Sequence, residues 1–112
     1  KKVNGLNDEK IAYINSQEEL DAFKENKSFV LYFSSKDCSV CHSVFPKMMD
    51  SLEKYSIKVG RIDVNEQLKI AGQHLIFSIP TILIFNEGQE VFRESRFINF
   101  SNFNRLLNIM FD

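Results

Sequence analysis

The strongest constraint on this chain is a change of apolar period between residues 29 and 55. Phe29-Val30-Leu31-Tyr32-Phe33 is a continuous apolar run of strand length, rich in β-formers, as expected for a strand covered on both faces. Directly after it, Val40, Val44, Met48 and Leu52 recur at four-residue intervals. That spacing lines them along one face of a helix running from about Ser39 to Tyr55. A strand buried on both faces needs a layer above and a layer below, and a helix leaving its end supplies one of them. Pro46 falls inside this helix, removes a backbone donor and predicts a kink.

The rest of the chain alternates in the same way. Ile11 to Ile14 is a short alternating apolar segment, and Ser16-Gln17-Glu18-Glu19 reads as a capping box opening a helix to about Asn26. Ile57 to Asp63 returns to strand character, weakened by Gly60, and Glu66 to His74 suits a short helix bearing Leu68 and Ile70. Ile82 to Phe85 is the next strand. Asn86-Glu87-Gly88-Gln89 follows as a hairpin bend in which Gly88 takes a positive φ, with Glu90 to Arg96 as the antiparallel partner. Ser101 is the expected cap of a last helix whose Phe103, Leu106, Leu107 and Met110 form an apolar stripe. The order β-α-β-α-β-α-β-β-α predicts an α/β domain: a mixed sheet with a parallel part and an antiparallel edge, helices on both faces.

A length of 112 residues fits one domain, 1–112, with residues 1–9 expected as a loosely ordered N-terminal segment. Eleven Phe residues and an apolar fraction of 44% supply a core without help from a metal or several disulfides, which frees Cys38 and Cys41 for other work. Fourteen basic against 15 acidic residues give a net charge of −1, which argues against nucleic acid or an anionic membrane as partner. No apolar stretch approaches the roughly 20 residues needed to cross a bilayer. Lys1 to Lys10 lack the apolar centre of a signal peptide, and two cysteines at close spacing are no secreted disulfide framework. A cytoplasmic monomer is expected.

Cys38-Ser39-Val40-Cys41 falls where the first long strand ends and the helix begins. Two intervening residues in a first helical turn let two sulfurs approach closely enough to close a disulfide ring. There the first thiol meets unpaired backbone N–H groups and the positive end of the helix dipole, which favour its thiolate. Cys38 is the expected nucleophile on a substrate disulfide and Cys41 the thiol that resolves the mixed disulfide. Two rivals share these residues. Cys38 to His42 spells C-S-V-C-H, the pattern of covalent haem attachment with His42 as axial ligand, though Phe33, Phe45 and Ile82 compete for the same apolar space. Cys38, Cys41 and His74 make three zinc ligands where a closed site takes four.

With the dithiol, Ile79-Pro80-Thr81 and the strand order in hand, the chain resembles the thioredoxin family over nearly its whole length. The resemblance implies the thioredoxin fold and thiol–disulfide exchange, with no cofactor beyond a redox-active disulfide between Cys38 and Cys41. It implies that Pro80, in the cis form, stands opposite the dithiol and that Ile79 offers backbone hydrogen bonds to an extended substrate segment. Pro46, Asp63 and Gly88 match structural positions of the family. The implied partners are protein disulfides and an electron-donating reductase. A glutathione-gripping Gly-Gly-Asp element and an inserted helical domain are both missing, which favours reduction of protein disulfides.

The departures fall around the site. The family's W-C-G-P-C-K is here Asp37-Cys38-Ser39-Val40-Cys41-His42, and the buried acid expected six residues before the first cysteine is Tyr32. Asp37 disfavours a neighbouring thiolate and a protonated His42 favours one, so Asp37, His42 and Tyr32 are the expected tuning residues. Phe97 stands near a family glycine beside the substrate groove. An alternative reading is a partner-binding or redox-sensing module docking through Ile79, Phe77 and Phe97.

Overall fold

The computed structural model describes residues 9–112. Its elements are β1 (Ile11–Tyr13), α1 (Gln17–Phe23), β2 (Ser28–Ser34), α2 (Ser39–Leu52), β3 (Lys58–Asp63), α3 (Leu68–Gln73), β4 (Thr81–Asn86), β5 (Gln89–Ser95) and α4 (Phe100–Met110). The sheet order is β1-β3-β2-β4-β5. β1 and β2 both pair with β3 in parallel, whereas β4 lies antiparallel to β2 and to β5. This is the expected mixed α/β architecture, with the apolar run Phe29–Phe33 in the central strand. The loose segment expected over 1–9 lies, Glu9 apart, outside the described residues.

The alternation along β2 sorts its side chains between two cores, as the strand period requires. Val30 and Tyr32 join Val44, Met48, Leu52, Phe103 and Leu107 on the face covered by α2 and α4, while Phe29, Leu31 and Phe33 join Leu20, Phe23 and Ile70 under α1 and α3. Gly60 is a strand residue because it lies beneath that second layer. A Cβ there would come within 3.0 Å of the Phe23 ring and 3.2 Å of Leu31, so the glycine lets helix and sheet close up.

The local signals act through specific atoms. The Glu19 amide donates to Ser16 Oγ at 3.1 Å, and the Glu19 carboxylate accepts from the Asn15 amide at 2.8 Å, so the capping box closes one residue earlier than its usual form. The hairpin has positive φ at both central residues, 52° at Glu87 and 83° at Gly88, the pair of values that matches the strands' twist. Glu87 is held there by its N–H on the Lys27 carbonyl at 2.8 Å. Lys10 Nζ donates to the carbonyls of Leu52 at 2.6 Å and Glu53 at 3.0 Å, satisfying the C-terminus of α2 and favouring its negative dipole end.

Two expectations are corrected. α4 is capped by Asn99, whose Oδ1 accepts from the Asn102 amide at 3.1 Å, and Ser101 lies inside the first turn. Asn99 wins because the Glu94 carboxylate accepts its backbone N–H at 2.7 Å, fixing the chain entry two residues sooner. α2 stops at Leu52 rather than Tyr55: the Glu53 amide turns back to the Asp50 carbonyl at 3.3 Å and the Tyr55 amide to Leu52 at 3.0 Å, tightening the end, while Lys10 adds a side-chain donor to the Leu52 and Glu53 carbonyls. Leu68 belongs to α3 but is 73% exposed, leaving Ile70 as the residue that anchors the helix.

His74, just after α3, is half-buried with its ring beside Phe33, 5.7 Å between centroids. Nδ1 donates to the Ile70 carbonyl at 2.8 Å, leaving Nε2 to accept from Lys24 Nζ at 3.1 Å. Burial lowers its pKa; the Ile70 carbonyl opposes this, and the Lys24 and Arg93 cations push it lower against Glu90. The folded protein therefore binds fewer protons at this ring than the unfolded chain, whose imidazole titrates near 6.5. This contribution to stability is complete above that pH and is lost as pH falls from there through the lower folded value. Thermal unfolding between about pH 7.5 and 5.5 should show a falling midpoint, with a shallower fall in His74→Gln. Equal slopes in the two proteins would count against this role.

Candidate active site

β2 runs in the core as far as Ser34, where its register with β4 pairs Phe33 with Thr81. The loop that follows is buried at Ser35 and turns through a hydrogen bond from the Cys38 amide to the Ser35 carbonyl at 3.3 Å. Cys38 is then the N-cap of α2, in extended backbone with φ −94° and ψ 104°. Its sulfur accepts the Cys41 amide at 3.1 Å, taking the capping role that a serine hydroxyl plays elsewhere. A sulfur placed there lies in the field of the free N–H groups and of the helix dipole.

The two sulfurs are joined as a disulfide, with the Cα atoms 5.2 Å apart. They differ in access: Cys38 is partly exposed, whereas Cys41 is 1% exposed. Access from solvent is therefore to the Cys38 residue and not to Cys41.

Tyr32 sits directly beneath. It is fully buried, and its hydroxyl donates to the Cys41 carbonyl at 2.6 Å. Burial pushes its phenol up to about 12, against an opposing pull from the Arg61 guanidinium, so the group is a neutral donor across the physiological range. The residue at the position of the expected acid thus tethers the first turn of α2 instead of exchanging a proton. Arg61 lies over the Phe45 ring at 4.0 Å and within 5.9 Å of Tyr32. The guanidinium stacks on aromatic faces, an arrangement that suits its weak hydration. Sequence reading missed Arg61; the available signal was a cation on the same face of β3 as Val59.

His42 and Asp37 separate. His42 Nε2 lies 2.9 Å from the Lys36 carbonyl oxygen, which ties α2 back to the loop before it. Asp37 is exposed.

The Ile79–Pro80 peptide bond is cis, and Pro80 is buried at the entry to β4 while Ile79 is half-exposed. The register with β2 brings this entry to the end of the sheet from which the dithiol loop leaves. Thr81 Oγ1 donates to the Ser78 carbonyl at 2.7 Å. Arg96, unnoticed in the sequence, holds the pair from outside: its amide donates to the Pro80 carbonyl at 2.7 Å and its guanidinium to the Ile79 carbonyl at 3.4 Å. Phe77 and Phe97 are 88% and 85% exposed.

The rival ligand sets do not assemble. His74 is engaged by Ile70 and Lys24, and no three His, Cys, Asp or Glu side chains come together among the described residues. Phe33 and Ile82 fill their places in the core, and Phe45 packs on Tyr32 with centroids 5.1 Å apart. The described helices include none long and apolar enough to cross a membrane.

A sheet of this order, with a dithiol capping the helix that follows its central strand, defines the thioredoxin fold. A single-site mutant of a Halobacterium salinarum thioredoxin superposes with a TM-score of 0.81 over 92% of each chain, at 22% identity. Thioredoxin O1 of Arabidopsis thaliana, in its oxidised state, gives 0.78 over 91% of this chain and 98% of its own, at 15% identity. The sequence goes further than the fold: the family model Thioredoxin matches residues 10–108, and this chain belongs to the thioredoxin family. It is 34% identical over 85 residues to the thioredoxin-like protein YdfQ of Bacillus subtilis, spanning 75% of this chain and 76% of that relative. It is also 29% identical over 79 residues to a thioredoxin of Mycoplasma pneumoniae, spanning 70% and 78%. Membership brings with it thiol–disulfide oxidoreductase chemistry in general terms.

Proposed function

We propose that this chain reduces protein disulfides through a Cys38–Cys41 dithiol cycle, as a monomer in the cytoplasm, where thiols are kept reduced. The observation that carries the reading is the unequal access of the two cysteines at one helix end: Cys38 partly exposed and receiving an amide N–H, Cys41 buried one turn deeper. In the reduced protein the same N–H and the helix field stabilise a Cys38 thiolate.

The thiolate attacks one sulfur of the client disulfide, whose S–S bond breaks. The departing client sulfur takes up a proton, and a Cys38–client mixed disulfide remains. Cys41 then loses its proton and attacks Cys38, expelling the second client thiolate, which is protonated in turn. The client gains two electrons and this chain loses two, ending as the Cys38–Cys41 disulfide. A separate electron-donating reductase restores it. Ile79 and Pro80 form the wall along which an extended client segment lies, pairing through the Ile79 backbone. Asp37 and His42 modulate the thiolate from the loop and the helix.

The test starts from the fully reduced protein mixed with a disulfide-bonded model protein such as insulin. Intact-mass spectrometry should show client thiols appearing in step with the closed Cys38–Cys41 form. A protein that stays in its dithiol form beside an unreduced client would overturn the proposal. The second reading, a partner-binding module, draws on the exposure of Phe77 and Phe97 and is favoured if client capture occurs without any change in cysteine state.

A further inference from the structure

Beside the dithiol runs a groove whose one wall is α2, through Ser39, Val40 and Lys47, and whose other is the segment after β5, through Arg96, Phe97 and Ile98. Ser39 and Val40 are the two residues between the cysteines, so whatever lies here lies against the first turn of the helix that Cys38 caps. Of the apolar lining, Phe97 stands open to solvent at 85% exposure. Its ionisable part is entirely basic: among the described residues, Lys47 and Arg96 are the only charged ones that line it, in a chain whose net charge is −1. Arg96 is fixed in place, with φ 64°, its amide on Pro80, its guanidinium on Ile79 and its charge 5.7 Å from the Phe97 ring centre. Lys47 makes no hydrogen bond or ion pair among the described residues.

The opposite flank of the dithiol loop is balanced. There Lys36 pairs with Glu66 at 3.2 Å and Asp63 accepts the amides of Asn65 and Glu66. A client segment crossing the site therefore meets unneutralised positive charge on one side alone, and the N-terminal end of the 14-residue α2 adds to it.

Resting on the reductase reading above, we infer that this groove selects client segments carrying a carboxylate side chain and an apolar side chain next to the disulfide-bonded cysteine. The apolar group covers Phe97 and Val40, and the carboxylate lies between Lys47 and Arg96. Charge complementarity of this kind acts mostly on the rate of encounter and fades with salt.

Three peptides with one intramolecular disulfide each, flanked by Glu, Gln or Lys and otherwise identical, separate the outcomes. Each reduction rate is divided by the rate of the same peptide with dithiothreitol, which removes intrinsic differences in disulfide reactivity. At low salt the Glu-flanked peptide should exceed the Lys-flanked one by about tenfold, the range of two partly exposed charge contacts. At about 1 M salt, where the screening length is about 3 Å, the ratio should approach one. Lys47→Glu with Arg96→Gln should remove or reverse the preference. A ratio near one at low salt, or one unmoved by salt and by the double variant, overturns the inference. A parallel titration of Ser-for-Cys versions of the peptides into the oxidised protein measures the groove alone. Glu-selective binding without reduction of any peptide keeps the groove assignment and sinks the reductase reading, whereas reduction without selectivity does the reverse.

Discussion

On the proposed cycle, Cys38→Ser should lower disulfide reduction to the background of the assay buffer, while Cys41→Ser should carry out the first exchange and stop with the client attached. The two outcomes follow from the different surroundings of the two sulfurs. Cys38 is the cysteine open to solvent and the one whose thiolate the Cys41 amide and the helix end favour. A hydroxyl in its place is a far weaker nucleophile at neutral pH, and the loss in rate is on the order of a thousandfold or more. Cys41 is buried with its Cα 5.2 Å from that of Cys38, so its attack is intramolecular and outruns any solution thiol at millimolar concentration. Without it the mixed disulfide accumulates, visible by non-reducing electrophoresis and by intact mass. Undiminished turnover in Cys38→Ser, or no trapped species in Cys41→Ser, would reverse the assignment of roles.

Phe103→Ala should cost about 3–5 kcal/mol of stability, the range for emptying a buried aromatic site. Phe103 is fully buried and meets Phe92 and Phe100 edge-on, with centroids 5.4 and 5.6 Å away. It shares a core with Met48 and Leu52 of α2, so its removal also loosens the helix that carries the dithiol. At this chain length the unfolding midpoint should fall by about 15 °C, measured by calorimetry or circular dichroism. Phe111→Ala, at a ring that is 39% exposed, serves as the control and should move it by a few degrees. A Phe103 variant no worse than that control would mean that α4 is not held through this ring.

The sheet was legible because its central strand is apolar without interruption, which only a position covered on both faces explains. The place of the dithiol was legible for the same reason, since the period changes between Phe33 and Val40. What stayed hidden depended on contacts between residues far apart in sequence. Asn99 and Ser101 are both good caps, and the choice rests on a carboxylate from β5, Glu94. The end of α2 takes an added donor from a lysine 42 residues earlier. Tyr32 could be identified as a departure, but its function as a tether needs the Cys41 carbonyl at the distance the fold gives it. Arg61 looked like any strand cation until Phe45 was seen beneath it.

The neutral phenol under the dithiol has a consequence for how the cycle ends. Among the described residues the buried polar groups are Ser34, Ser35 and Thr81, with Tyr32 locked to a carbonyl, so no internal carboxylate collects the hydrogen ion that Cys41 gives up. That ion leaves with water or on the client's own sulfur. In the proposed cycle the pace of release should then follow how good a leaving group the client presents, and the timing of the last step falls to the molecule being let go.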